Sequence, residues 1–178
     1  MFELASAAPT LEPWELGVRV LVAAALGGLV GLERELSDQP AGFRTHILVS
    51  LGSALFTMVG AYGLAAFIPE GTENASFDPM RVAAQVVTGI GFLGAGAIIR
   101  QGVNIRGLTT AAALWVTAAI GMAAAVGFWL GAIFTTLATV TALYGFKRLE
   151  ARFLTPRRRI PQDGGEDSPE GKPGIRPD

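Results

Sequence analysis

The chain has no cysteine among its 178 residues. Disulfides and thiolate metal sites are therefore excluded, and the redox compartment leaves no mark on the sequence. Charge is scarce too, at 16% of residues, and it is missing from long runs. Gly107 to Phe146 carries none, and neither does Val82 to Ile99. Apart from His46, Thr45 to Pro69 is also uncharged. Met1 to Glu15 lacks Lys and Arg but holds Glu3, Glu12 and Glu15. That is the reverse of the basic start of a cleavable signal peptide. The first apolar segment is expected to act as its own insertion signal.

What remains is apolar. Hydrophobic residues make up 51% and mean hydropathy is +0.44, values foreign to soluble domains. The stretch RVAAQVVTGIGFLGAGAIIR, Arg81 to Arg100, is too apolar for a surface helix and too rich in glycine for a soluble core helix. In lipid both features make sense. A spanning helix satisfies its own backbone hydrogen bonds, and small residues let helices approach closely. The reading is an all-α membrane protein of one domain.

A spanning helix needs roughly 20 mostly apolar residues. Spans are expected near Pro13 to Leu32, Thr45 to Phe67 and Arg81 to Ile99. Gly107 to Phe146 is about twice the length one span needs. Split at Ala125 to Phe128, it gives spans near Leu108 to Ala125 and Phe128 to Phe146. The expected fold is a bundle of five transmembrane helices over 13–153. A segment over 1–12 precedes it and a polar tail over 154–178 follows, rich in Pro, Gly and both charge signs and expected to be disordered.

Basic residues in short loops give the orientation. Arg34 and Arg44 lie between spans one and two, Arg100 and Arg106 between three and four, and Lys147, Arg148, Arg152 and Arg157 to Arg159 after span five. An odd span number places all three regions on one side, the cytoplasm. The N-terminus and the loop Pro69 to Met80 then lie outside. Trp14, Phe67, Phe128 and Trp129 fall at the outer interface, and Phe43, Tyr144 and Phe146 at the inner one, as an aromatic belt requires.

Gly27 and Gly31 in span one, and Gly127 and Gly131 at the start of span five, have the spacing that permits close helix crossing. Internal packing and a homodimer contact are both open. Arg19 lies about one turn inside the outer interface, with Glu15 four residues earlier, and is read as a snorkelling structural residue. Arg81, Gln85 and Thr88 recur at helical spacing and give span three a polar stripe. Lipid penalises such a stripe, so it should face the bundle or a small aqueous cleft. An interhelical hydrogen-bonding seam and part of a solute path are the alternatives.

The inner face is richer. Glu33, Arg34 and Glu35 end span one; Arg44, Thr45 and His46 open span two. Arg100 ends span three; Arg106, Thr109 and Thr110 open span four. These helix ends meet at one membrane face, so the residues are expected to form a charge-paired patch. It would act as an ion-pair network, as a site for an anionic group, or as both. Pro40 and Gly42 suit a tight turn between spans one and two. His46 is the single histidine and reads as a hydrogen-bonded structural group or a ligand. Thr109 and Thr110 are candidate caps for span four. As many guanidinium groups as carboxylates is a poor donor set for Mg²⁺, which wants hard oxygen ligands. No metal site and no cofactor are expected. No nucleophile–base pair or phosphate-binding loop appears, so no enzyme is expected, and nothing points to nucleic acid.

Four ordered segments carry a family likeness: GLVGLERE (Gly28 to Glu35), AGFRTHILVSLGSALF (Ala41 to Phe56), Arg81 to Arg100, and GLTTAAALWVTAAIGMAAAVG (Gly107 to Gly127). Over about Leu16 to Arg148 the chain resembles the MgtC/SapB family of bacterial inner-membrane proteins. The resemblance implies five spans, a cytoplasmic C-terminus, and a link to magnesium homeostasis and growth at low Mg²⁺. It implies a non-enzymatic regulator of other membrane proteins, with a transporter or channel for Mg²⁺ or another small ion as the alternative. The lipid bilayer, another membrane protein and a second copy of the chain are the expected partners. Fuller members carry a folded cytoplasmic domain after the fifth span. Here only a short polar tail follows, as in a SapB-like member.

Overall fold

The computed structural model describes residues 11–63 and 79–153, with side chains over 11–63 and 81–145. Residues 1–10, Phe67, most of the loop from Pro69 to Met80, the polar tail, and the side chains of Phe146, Lys147, Arg148 and Arg152 lie outside the described residues.

Among the described residues there are five α-helices: α1 (Pro13–Leu36), α2 (Phe43–Met58), α3 (Pro79–Ala97), α4 (Leu108–Ala125) and α5 (Trp129–Phe153). A π-helical turn, Val59–Gly63, prolongs α2. The helix α1, α2 with its π turn, and α4 are each long and apolar enough to cross a membrane. The apolar parts of the other two, Arg81–Ala97 and Trp129–Gly145, are shorter.

Each boundary has a local cause. Pro13 sits in the first turn of α1, where its missing N–H costs nothing. The chain leaves α1 at Ser37, whose N–H reaches back to the carbonyls of Glu33 and Arg34, and Asp38 adopts φ 53°. The uncharged run from Gly107 breaks where expected. Gly127 stands at φ 78°, a left-handed conformation that ends α4 and costs a glycine little. Gly127 is therefore a turn residue facing the Arg19 guanidinium of α1, and the atoms nearest a Cβ on Gly131 belong to the ring of Phe128 in its own turn. No close crossing of helix backbones is seen at this glycine pair among the described residues.

The connection between α3 and α4 departs from the expected simple loop. It is a β-hairpin, β1 (Ile99–Gln101) paired antiparallel with β2 (Asn104–Arg106), so the fold is not wholly helical. Gly102, at φ 61°, takes the first place of a two-residue turn, where a type II′ hairpin needs positive φ. Val103 at the tip is 94% exposed. Gly107 then opens α4 at φ 86° with no side-chain cap, so neither Thr109 nor Thr110 caps the helix. A side chain on Gly107 would strike the carbonyl oxygen of Ala97.

The core is built from small residues. Ala23, Ala54, Met58, Ala124 and Ala125 form one buried cluster, and Val30, Ile120 and Ala132 another. The bulky side chains face outwards: Trp14, Leu21, Leu48, Phe92, Leu130 and Phe134 are all exposed. Outward bulk and an interior of Ala, Gly, Ser and Thr is the distribution of helices that pack within lipid.

The tightest crossing joins α1, α2 and α4. A Cβ on Gly27 would lie 2.5 Å from the Cβ of Ser50, and one on Gly31 would lie 2.8 Å from the Cα of Phe43. A Cβ on Gly121 would run into the carbonyl oxygen of Ser50. The Gly27/Gly31 pair thus serves internal packing. On α3, by contrast, nothing lies within 4 Å of where a Cβ would stand on Gly89, Gly91 or Gly96. Among the described residues, Gly94 is the glycine of this run that meets a neighbour, Ala111.

Candidate functional site

The loop between α1 and α2 brings two helix ends together. Glu35, exposed at the end of α1, accepts a hydrogen bond from the Phe43 N–H at 2.9 Å. This satisfies one of the free donors at the start of α2. A Cβ on Gly42 would displace the Glu35 carboxylate from this position. One turn into α2, the Nδ1 of His46 lies 2.9 Å from the Gly42 carbonyl. A carbonyl only accepts, so Nδ1 carries the hydrogen of that bond.

Four of the inner-face residues singled out in the sequence are buried. His46 is 0% exposed, Thr110 2%, Arg34 5% and Glu33 8%. Glu33 and Arg34 make the one ion pair among the described residues, at 3.8 Å, too long for a hydrogen bond. The other carboxylate oxygen of Glu33 accepts from the Ser37 hydroxyl at 2.8 Å. His46 lies within electrostatic reach of both Arg34 and Glu33. The other inner-face residues stay outside this group. Glu35, Arg44, Thr45, Arg100, Arg106 and Thr109 are exposed. Arg100 turns back to its own hairpin, its Nε donating to the Gly102 carbonyl.

Several buried polar atoms have no hydrogen-bond partner: Glu33 Oε2, Arg34 Nε, His46 Nε2 and Thr117 Oγ1. Thr117 was not singled out in the sequence. It precedes Gly121 by four residues, as His46 precedes Ser50, and the two pairs share the α2–α4 crossing. Above it, α2 keeps a buried polar face of His46, Ser50, Ser53 and Thr57. Their spacing of four, three and four residues is a helical stripe and was legible as such. The Ser50 and Thr57 hydroxyls are occupied by the carbonyls of Ala23 and Ser53.

At the opposite end Arg19 does not pair with Glu15. It donates to the Tyr62 hydroxyl at 2.8 Å and to the Ala125 carbonyl at 2.6 Å, with its guanidinium 5.3 Å from the Tyr62 ring centre. It closes the end of α4 and ties α1, α2 and α4 together. The stripe of α3, expected to face the bundle, is exposed: Arg81, Gln85 and Thr88 all are, and the Thr88 hydroxyl returns to the Ala84 carbonyl. Gln85 lines a cavity of about 640 Å³ between α2 and α3, together with Thr45, Gly52, Ser53, Phe56 and Gly89.

The MgtC family profile matches residues 20–152, nearly all of the described helices. The chain belongs to the MgtC family. It is similar to the putative magnesium transporter YhiD of Escherichia coli K12, with 44% identity over 140 residues, covering 79% of this chain and 64% of that protein. It is also similar to the protein MgtC of Salmonella typhimurium 14028s, with 40% identity over 125 residues, 70% of this chain and 49% of that protein. An uncharacterised protein of Haemophilus influenzae matches at 41% over 126 residues, 70% of this chain and 52% of that one. The chain thus spans about half to just under two thirds of the curated relatives it matches. No solved structure matches it. In this MgtC family member the GLVGLERE and AGFRTHIL segments are the ones that supply Glu33, Arg34 and His46.

Proposed function

We propose that this chain is a non-enzymatic, multi-pass protein of the bacterial inner membrane. It would act in magnesium homeostasis by regulating other membrane proteins. Membership of the MgtC family and the relatives' names support the magnesium link. The observation that favours regulation over transport is the closed crossing of α1, α2 and α4. Gly27, Gly31 and Gly121 press directly on α2 at Phe43, His46 and Ser50, so the three helices are in close contact there. The buried carboxylate Glu33 is matched by the adjacent Arg34. A divalent ion wants several oxygen ligands and gives up its water reluctantly. The large cavity lies on the flank between α2 and α3 and is mostly apolar.

The second reading is a path for Mg²⁺ or another small ion. Gln85 favours it, because this polar residue is among those that line that flank cavity. Reconstitution in liposomes separates the two. Mg²⁺ uptake at the level of protein-free liposomes is expected. Uptake above that level, lost in Gln85→Leu, overturns the regulatory reading.

A further inference from the structure

The cavity on the flank of the bundle is a groove with one closed end. It runs between α2 and α3, from Thr45 and Leu93 at one end to Phe56 and Val82 at the other. About eleven residue steps along either helix, at 1.5 Å each, make it roughly 16 Å long. Just beyond Phe56 the two elements close on each other: a Cβ on Gly60 would lie 2.8 Å from the Cβ of Val82. Part-way along, Gly52 and Gly89 leave the space open, since nothing lies within 4 Å of where their Cβ atoms would stand. Phe56 and Leu93 are exposed, so the groove opens sideways from the bundle.

We propose that this groove holds one acyl chain of an anionic phospholipid, whose phosphate lies against Arg44. The length selects a chain. The hydrocarbon core of a bilayer is about 30 Å thick, so one leaflet supplies about half of that, close to the length of the groove. A helix from a partner or a second copy runs the full thickness, and a groove closed at the Gly60–Val82 contact does not seat it. The lining is mostly apolar, as an acyl chain requires. The charge selects the headgroup. Arg44 is exposed, has no ion-pair partner among the described residues, and stands one turn before the groove residue Leu48 on the same face of α2.

The exposed charges at that end favour an anion. Arg100 and Arg106 stand in the hairpin that follows α3, with the Arg100 Nε on the Gly102 carbonyl. Against them are two exposed carboxylates, Asp38 and Glu35, and Glu35 is engaged at the Phe43 N–H. Basic residues near a membrane surface attract anionic lipid. Thr45 lines the groove beside Arg44 and brings a hydroxyl to the same end. Arg81 is exposed at the other end, next to the Gly60–Val82 contact. The inference rests on the multi-pass membrane reading, and the lipid belongs to the leaflet on the Arg44 side.

Native mass spectrometry in mild detergent tests this, with phosphatidylglycerol or phosphatidylcholine of identical chains added to the full chain. One retained lipid per chain is expected, with phosphatidylglycerol held about fivefold more tightly, as one arginine at a membrane surface provides. Arg44→Gln should remove that preference and leave phosphatidylcholine binding unchanged, and Arg81→Gln should change neither. Gly52→Leu and Gly89→Leu fill open space and should weaken both lipids about tenfold or more, with helicity and gel-filtration volume unchanged. Either glycine variant suffices if the other does not fold. Lipid binding equal in wild type and a folded glycine variant overturns the inference. So does a preference that survives Arg44→Gln or is lost in Arg81→Gln. A dimer that Gly52→Leu breaks up gives the groove to a second copy and overturns it too. Alkaline carbonate washing of membranes keeps the two readings apart. A chain that stays in the membrane but retains no lipid refutes this inference alone, whereas a chain that washes out refutes the membrane reading as well.

Discussion

The Ser50 hydroxyl donates to the Ala23 carbonyl, 2.7 Å away on the neighbouring helix, at the level where Gly121 touches the Ser50 backbone from the other side. Three helices thus meet at one serine. An interhelical hydrogen bond of this kind contributes about 0.6 kcal/mol on average and up to about 2. Ser50→Ala should lower stability by that modest amount. Gly121→Val should cost far more, because its side chain has to displace backbone. Thermal unfolding in mild detergent, followed by circular dichroism, should rank the two in that order.

Glycines on α1 and α3 should respond in opposite ways. Gly31→Leu drives a side chain into Phe43 and His46 and is expected to prevent folding. Gly91→Leu meets nothing among the described residues and should leave unfolding unchanged. Gel filtration of both variants checks this. Loss of assembly in Gly91→Leu without loss of helicity would instead place α3 in a contact between chains.

Charge removal at the α1–α2 junction should discriminate in the same manner. Breaking a buried pair by removing one member costs about 3–5 kcal/mol. Arg34→Ala leaves Glu33 buried alone and should fall in that range. Arg44→Ala removes an exposed charge with no ion-pair partner among the described residues, and its unfolding midpoint should match the wild type.

Arg19 offers a test at the far end. Arg19→Met strips the Tyr62 hydroxyl and the Ala125 carbonyl of a charged donor. Hydrogen bonds to charged groups contribute about 1.5–3 kcal/mol, so a loss of that size is expected. Tyr62→Phe removes only the hydroxyl and should cost about 1 kcal/mol. A double variant no worse than Arg19→Met would show that the two side chains act as a unit.

The proposed orientation is checked by cysteine labelling, for which a cysteine-free chain is ideal. With cysteine at Asn74 or Gln162, both outside the described residues, an impermeant maleimide should label Asn74→Cys in intact cells and leave Gln162→Cys untouched. Labelling of both would mean an even number of crossings.

The helices were largely legible in the sequence, because a membrane helix announces itself by length and lack of charge. The break before α5 was found from span length alone, and α4 came out with the expected bounds, Leu108–Ala125. The hairpin over Ile99–Arg106 was not legible. Three-residue strands have no periodicity to read, and Gly102 looked like one loop glycine among many. Burial was the harder matter. Arg34 and Arg44 look alike in sequence, yet one is enclosed by the bundle and the other is exposed. Nothing in either residue's neighbours says which way the helix is turned. The Ser and Thr face of α2 was overlooked for a related reason: small hydroxyl residues pass unnoticed in an apolar run, although their spacing marks the side on which α1 and α4 pack.

The link between α4 and α5 has a mechanical consequence. Only Val126, Gly127 and Phe128 separate the two helices, and Arg19 lies against both Ala125 and Gly127. Each residue spans at most about 3.6 Å, so this link keeps the facing ends of α4 and α5 together, while it places no constraint on their far ends. The guanidinium of α1 thus acts as a pin at the corner where the two helices turn.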